Sequence, residues 1–147
     1  MLYRLLGDQR GSMVIETAVI IPALAMMSIG GFEASRMIAR ESELQTAATE
    51  AANIALTAPP NTAAKRTTLQ SVIMDSTGLA IADVTVSAVF RCGTATSFVT
   101  DNTSCTDSNT VSSFVKINLT DTYAPSWTNF GISTAINYNI TRTVQLS

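Results

Sequence analysis

A single carboxylate lies at the start of an apolar segment, and its position has the clearest chemical consequence in this sequence. Glu16 precedes residues 17–32, which carry no charge. An acidic side chain at the centre of a membrane helix costs roughly 2.5–3.5 kcal/mol, and less near the interface. We therefore expect Glu16 to pair with a cationic group. The alternative is an interfacial carboxylate in headgroup water, without a partner.

The other polar residues do not form a catalytic pattern. The chain has no histidine, which removes His-based general catalysis and most zinc sites. Asp101, Asp107 and Asp121 lie at loop positions but do not match a calcium-binding loop, and solvated acids are the commoner explanation. We predict no enzyme, no cofactor and no metal. A net charge of −2 gives no basic stripe, so nucleic-acid binding is not expected.

The apolar segment is interpreted as a retained membrane helix. Residues 17–32 would span about 24 Å, short of a hydrocarbon core of about 30 Å. Residues 13–15 before the segment, and a snorkelling Arg36 after it, close the gap. A signal peptide is the alternative, but Glu16 stands at its start and candidate cleavage sites fall mid-run. Arg4 and Arg10 before the span favour a cytoplasmic N-terminus.

Small residues and a proline in this helix suit packing against another helix. Pro22 removes one backbone hydrogen bond and is tolerated in membrane helices where neighbours satisfy the freed carbonyl. The pairs Gly30/Ala34 and Gly31/Ser35 would let another helix approach closely. Glycine is also simply frequent in membrane helices, so the contact face stays one of two interpretations.

The helix is expected to continue to Thr57, where Ala58-Pro59-Pro60 ends it. One face is apolar at helical spacing and suits either docking of the C-terminal domain or packing between subunits. Its members are Met37, Leu44, Ala48, Ala51 and Ala55. A second helix is predicted over 62–76, ended by Thr77-Gly78.

The remainder predicts an α+β protein whose small antiparallel sheet is covered by the preceding helices. Alternation predicts strands near 84–91, 115–120 and 136–146, with a short strand possible at 97–100. Cys92 and Cys105 are expected to form a disulfide outside the membrane, with two free thiols as the alternative.

The N-terminal pattern resembles that of TadE-like pseudopilins of the tight-adherence (Tad/Flp) type IV pilus systems. The resemblance covers about residues 9–40. It comprises a basic residue, Gly-Ser, small apolar residues, Glu, and a proline before a membrane helix, here Arg10, Gly11, Ser12, Met13, Val14, Ile15, Glu16 and Pro22. Thr17 stands where this family commonly has an aromatic residue.

This resemblance implies that a prepilin peptidase cuts between Gly11 and Ser12. Glu16 would then meet the new amino terminus at Ser12 of its own or an adjacent subunit. The segments would be a leader (1–11), a transmembrane and extended helix (12–57) and a periplasmic pilin-like α+β domain (58–147). Implied partners are other pilin and pseudopilin subunits, the peptidase and the inner-membrane assembly platform. The competing class is a single-pass, membrane-anchored periplasmic binding or adhesion domain that never polymerises.

Overall fold

The protein consists of a long N-terminal helix, a second helix and a three-stranded antiparallel sheet. The structure is a computed structural model that describes residues 10–106, 110–130 and 134–146. Contacts divide the chain into two compact units, one ending at Ile38 and the other beginning at Ala39. The predicted α+β class is confirmed.

The first helix, α1, runs over Arg10–Thr57. It ends where the sequence predicts, because the two prolines at positions 59 and 60 cannot continue it. The second helix, α2, covers Ala63–Thr77. Its N-cap is Thr62, whose side chain accepts a hydrogen bond from the Lys65 amide, and its C-cap is Gly78 at a φ of 70°. Glycine adopts this left-handed conformation without a steric penalty.

The sheet has the order β1-β2-β3 and both pairings are antiparallel. The strands are β1 (Val84–Cys92), β2 (Val111–Tyr123) and β3 (Ile136–Gln145). β2 is longer than the alternating pattern predicts because it pairs with a neighbour on each side. Within the described ranges, three short 3-10 helices connect these elements: Ile81–Asp83, Asn102–Ser104 and Ser126–Phe130. The sequence does not predict them.

One apolar core joins the second half of α1, helix α2 and one sheet face. Leu44 of α1, Ile73 of α2, and Ile117 and Leu119 of β2 are almost completely buried. The buried face of α1 also contains Ala47, Ala48, Ala51 and Ala55. These alanines allow α1 to lie close to its neighbours. This part of the helix therefore docks on the chain's own domain, the first of the two predicted alternatives.

A smaller apolar cluster lies on the opposite face of the sheet. Val89 is the residue that breaks the alternation of β1, and it pairs across the strands with Phe114. Both are buried. The ring of Phe98, from the β1–β2 loop, meets Phe114 edge-on at 5.1 Å, and the Arg91 guanidinium lies 5.2 Å from the Phe114 ring centre. The loop between β1 and β2 therefore folds back over the sheet.

Candidate functional site

The proposed processing site lies among the first residues of α1 that the structure describes. The backbone of Gly11 and Ser12 is helical. Most of the predicted leader, residues 1–9, lies outside the described residues.

Glu16 is exposed on the apolar part of α1. Its carboxylate makes no ion pair or hydrogen bond with any residue that the structure describes. Ile15, Val19 and Ile20 surround it on the helix surface. A single negative charge is thus placed among apolar side chains, with no cation from its own described chain to neutralise it.

Helical geometry places Glu16 on the same stripe as the small residues of α1. Ala34 follows Glu16 by about five complete turns at 3.6 residues per turn, and Ala23 and Gly30 lie within about 40° of the same line. Gly31 lies about 60° to one side. A Cβ atom added at Gly30 or Gly31 would meet nothing within 4 Å beyond the backbone of its own helix turn. Ile20 and Met27, which are large and exposed, also lie within about 40° of this line. The part of the stripe that is open for close approach is therefore the end at Gly30 and Ala34.

Pro22 is accommodated inside α1 without ending it. Because proline has no amide hydrogen, the carbonyl of Ala18 lacks its usual helical donor. The nearby hydroxyl groups are satisfied within the helix, since Thr17 donates to the Met13 carbonyl at 2.7 Å and Ser28 donates to the Leu24 carbonyl at 2.9 Å. In lipid, such bonds leave few polar groups exposed.

The first half of α1 presents large apolar side chains to its surroundings. Among the described residues, one helix is long and apolar enough to cross a membrane, and it is this one. Its most apolar window has a mean hydropathy of 1.9 and none of that window is buried within the protein. The exposed side chains include Met13, Val14, Ile15, Val19, Ile20, Ile21, Leu24, Met26, Met27, Ile29 and Phe32.

A polar cluster in the second unit was not predicted. The Arg40 guanidinium donates through Nε to Asp121 Oδ2 at 2.6 Å, and through Nη1 to Glu43 Oε2 at 3.0 Å and to the Thr77 carbonyl at 3.1 Å. Burial alone would lower the pKa of Arg40. The hydrogen bonds and charges of Asp121 and Glu43 outweigh it and raise that pKa. Arg40 thereby joins α1, the end of α2 and β2.

The loop between β1 and β2 is held at two points. Cys92 and Cys105 form a disulfide with their Cα atoms 5.2 Å apart. Phe90 and Val99 exchange two backbone hydrogen bonds of 2.8 Å. This isolated bridge stands where a short strand was expected at 97–100. Two hydrogen bonds fix this contact, but the polar residues around it do not extend it into a strand.

The acidic residues considered for calcium are used differently. Asp121 pairs with Arg40, and Asp101 caps the Asn102–Ser104 turn by accepting from the Thr103 amide at 3.0 Å. That backbone hydrogen bond lowers the pKa of Asp101. Asp107 lies outside the described residues. The described part of the chain contains no cluster of three or more His, Cys, Asp or Glu side chains suited to a metal ion.

Comparison with models of known protein families shows what α1 is similar to. Residues 11–53 match the family model described as TadE-like protein. The N-terminal helix is TadE-like. The resemblance predicted from the sequence for the N-terminal segment is thus confirmed.

The TadE-like match coincides with a structural element. It begins at the glycine of the proposed processing site and ends four residues before the end of α1. It contains Glu16, Pro22, Gly30, Gly31 and Ala34. Helix α2 and the sheet lie outside it. Neither a curated protein nor a solved structure matches this chain.

Proposed function

We propose that this chain is a minor pilin or pseudopilin that is cleaved by a prepilin peptidase and takes part in assembly or priming of a Tad-type pilus. The observation that carries the proposal is the Glu16 carboxylate, which lies on an exposed apolar helix and has no partner among the residues that the structure describes. In a lipid or protein interior, such a group is stabilised only by a partner charge.

Cleavage between Gly11 and Ser12 would supply that charge. Hydrolysis of this peptide bond leaves a carboxylate on Gly11 and an amine on Ser12, which is largely protonated at neutral pH. Glu16 lies four residues after Ser12, about one helical turn away. The same amine on an adjacent subunit could instead meet Glu16, and this contact would fix the axial register of two helices.

The Glu16 stripe supports close helix packing once the charge is neutralised. Gly30 and Ala34 lie at its far end, and a Cβ atom at Gly30 would meet no side chain within 4 Å. Small residues allow backbones to approach, so dispersion contacts accumulate along the stripe. The remaining apolar side chains of the segment can exchange lipid for the side chains of neighbouring subunits.

Arginines before the span favour a cytoplasmic N-terminus and a periplasmic C-terminal domain. Leader removal would then occur at the cytoplasmic side of the inner membrane. The domain after α1, residues 58–147, would be carried outside, where a disulfide is stable. Its size suits a component present in few copies rather than the repeating shaft subunit.

The first test is the N-terminus of the protein purified from membranes of a host with an active prepilin peptidase. Mass spectrometry should find a chain that begins at Ser12. Gly11→Leu should block cleavage, because a bulky residue before the scissile bond does not fit a narrow site. Gly7→Leu is the matched control and should be cleaved. A functional protein that still begins at Met1 would favour the membrane-anchored domain that never polymerises.

The second test separates processing from assembly. Glu16→Gln keeps the size of the side chain and removes its charge. We expect normal insertion and cleavage but loss of the protein from sheared fibres. Glu41→Gln removes an exposed carboxylate further along the same helix and should leave incorporation unchanged. Equal incorporation of the Glu16→Gln variant and the native chain would contradict the proposed pairing.

A further inference from the structure

The second unit follows the apolar segment of α1 without a spacer. Phe32 is the last residue of the uncharged segment, and Ala39 is the first residue of the second unit. α1 is helical through both, and neither glycine nor proline lies between them. Ala39 therefore lies about 10 Å beyond Phe32 along the helix axis. Because the headgroup layer on each side of a bilayer is about 5–8 Å thick, the second unit begins at the outer boundary of this layer, or within it where the helix tilts.

Arg40 shows which end of the second unit lies at this boundary. Its guanidinium donates to Asp121 near the end of β2 at 2.6 Å, and to the carbonyl of Thr77, the last residue of α2, at 3.1 Å. The C-terminal ends of β2 and α2 thus lie beside the point at which α1 enters the unit. We call this end, residues 77–83 and 121–128, the base of the second unit.

Two short turns complete the base. The turn Ile81–Asp83 lies beside β2, because the Thr120 hydroxyl donates to the Asp83 carbonyl at 3.3 Å. The turn Ser126–Phe130 begins three residues after the last residue of β2. Both turns are therefore attached to strand ends next to Arg40, and they form the surface that the unit presents at this end.

The base carries apolar and aromatic side chains. Ile81 is 67% exposed, and the alanines on either side of it are also exposed. Trp127 is half-buried. Tryptophan concentrates at the boundary between lipid and water, which accommodates both its apolar ring and its N–H group. Lipid contact would remove the Ile81 side chain from water, which is favourable in proportion to the apolar area covered.

The charges of the base favour a zwitterionic lipid surface over an anionic one. Asp121 pairs with Arg40, which also pairs with Glu43. Asp83 accepts a hydrogen bond from the Thr120 hydroxyl through Oδ1 at 3.4 Å. These carboxylates outnumber the one guanidinium among them, so an anionic surface would be repelled. Contact with uncharged or zwitterionic headgroups carries no such cost.

We propose that the base of the second unit rests in the headgroup layer of a zwitterionic bilayer, with Ile81 and Trp127 in contact with lipid. The short helical connection favours lipid over a second protein, because another helix is about 10–12 Å across and does not fit into the few ångströms left between the base and the headgroups. The contact rests on the interpretation of α1 as a membrane span. It does not depend on leader cleavage or on assembly into a pilus.

The test is quenching of Trp127 fluorescence in the full-length protein, reconstituted in phosphatidylcholine vesicles. One set of vesicles carries a nitroxide on the lipid headgroup, and another carries it at the end of an acyl chain, near the bilayer centre. Trp127 is the one tryptophan in the sequence, so the signal has a single source. We expect strong quenching by the headgroup label and weak quenching by the acyl-chain label.

The matched control moves the tryptophan to the other end of the sheet. Trp127→Phe combined with Phe98→Trp places it in the β1–β2 loop, where Phe98 is 45% exposed and a larger ring is tolerated. The neighbouring Val99 bonds Phe90, six residues into β1, so the new position is about 20 Å from the base along the strand. We expect neither label to quench this variant.

Two variants test the cause of the quenching. Insertion of seven helix-forming residues between Ile38 and Ala39 lengthens α1 by about 10 Å and turns the second unit by only about 20°. It leaves every contact within that unit in place, and quenching of Trp127 by the headgroup label should be lost. Ile81→Asp should reduce this quenching, because a charge is costly at the lipid boundary. Val111→Asp changes a side chain that is 44% exposed at the opposite end of the sheet, and should leave it unchanged.

The outcomes separate this contact from the membrane anchor. Equal headgroup quenching of Trp127 and of the Phe98→Trp control, persistence of quenching after the seven-residue insertion, or quenching that requires anionic lipid would each overturn the contact while leaving the anchor intact. A full-length chain that does not float with the vesicles in a density gradient would overturn the membrane anchor, and the contact with it.

Discussion

Replacing Arg40 should weaken the C-terminal unit more than any other loss of a single surface charge. Arg40→Met keeps the aliphatic stem and removes the guanidinium. The substitution deletes the bonds to Asp121, Glu43 and the Thr77 carbonyl. The affected groups belong to three different elements, so the packing of all three is involved.

The three bonds differ in weight. Glu43 lies in the same helix and its side chain is 49% exposed, so that pair contributes about 0–0.5 kcal/mol. Asp121 is 22% exposed, and a hydrogen bond between charged groups is worth about 1.5–3 kcal/mol. Without Arg40, Asp121 retains the Thr122 amide at 2.8 Å. The bond to the Thr77 carbonyl adds about 0.5–1 kcal/mol. The expected total is about 2–4.5 kcal/mol.

Urea unfolding of the purified full-length protein in detergent measures this loss. Trp127 is the one tryptophan in the sequence. It is half-buried in the C-terminal unit, so its fluorescence reports on this unit and not on the detergent-bound helix. The midpoint should fall by about 1–3 M urea. Lys116→Met removes an exposed cation from the strand that carries Asp121, and should change stability by less than about 0.5 kcal/mol.

A double-mutant cycle with Asp121→Asn isolates the pair itself. We expect a coupling of about 1–3 kcal/mol between positions 40 and 121, because the charges are in contact and partly shielded from water. If Arg40→Met costs no more than Lys116→Met, or the coupling is near zero, the guanidinium does not join the three elements and the reasoning fails.

Three further predictions concern the same unit. Replacing Cys92 and Cys105 together by serine should cost about 3 kcal/mol by the loop-entropy argument, measured as a lower urea midpoint under non-reducing conditions. Gly78→Ala should cost about 1 kcal/mol in the same assay, because Gly78 has a φ of 70° that alanine adopts only with strain. Burial, then the charges of Glu41 and Asp121, raise the pKa of Tyr138. The folded state therefore favours the neutral phenol. This preference contributes fully to the free energy of unfolding below about pH 10, and the contribution is lost as the pH rises further. Tyr138→Phe should therefore show a shallower alkaline loss of unfolding free energy than the native chain.

The sequence predicts the elements of this fold well because their signals are local. The two prolines after Ala58 set the end of α1, and Gly78 sets the end of α2. Alternating side chains identify the three strands. Glu16, Pro22 and the glycines of α1 are also recognised by their spacing, since the TadE-like pattern lies within one continuous stretch.

Contacts between distant residues could not be predicted in the same way. Arg40 and Asp121 are 81 residues apart. A helical wheel places Arg40 within about 20° of Ala47 and Ala51 on the buried face of α1, but no local pattern indicates which distant residue it pairs with. Val89 interrupts the alternation of apolar and polar residues in β1. Its burial is explained only by the β1–β2 loop, which places Phe98 against Phe114 on the same face of the sheet. The outer edge of β1 is bonded by the Gln70 side chain at the Val84 carbonyl and by the backbone of Val99 at Phe90. No periodic pattern in the sequence connects these residues to β1.

The exposed apolar surface of α1 limits how the chain can ever leave a membrane. Side chains such as Met13, Leu24 and Phe32 are exposed within their own chain. Moving this helix from an apolar environment into water would therefore cost a large hydrophobic free energy. For the proposed pilin, transfer into a filament would therefore require a continuous apolar route, with receiving helices already present in the plane of the bilayer. Release of a single, unaccompanied copy into water would expose this apolar surface.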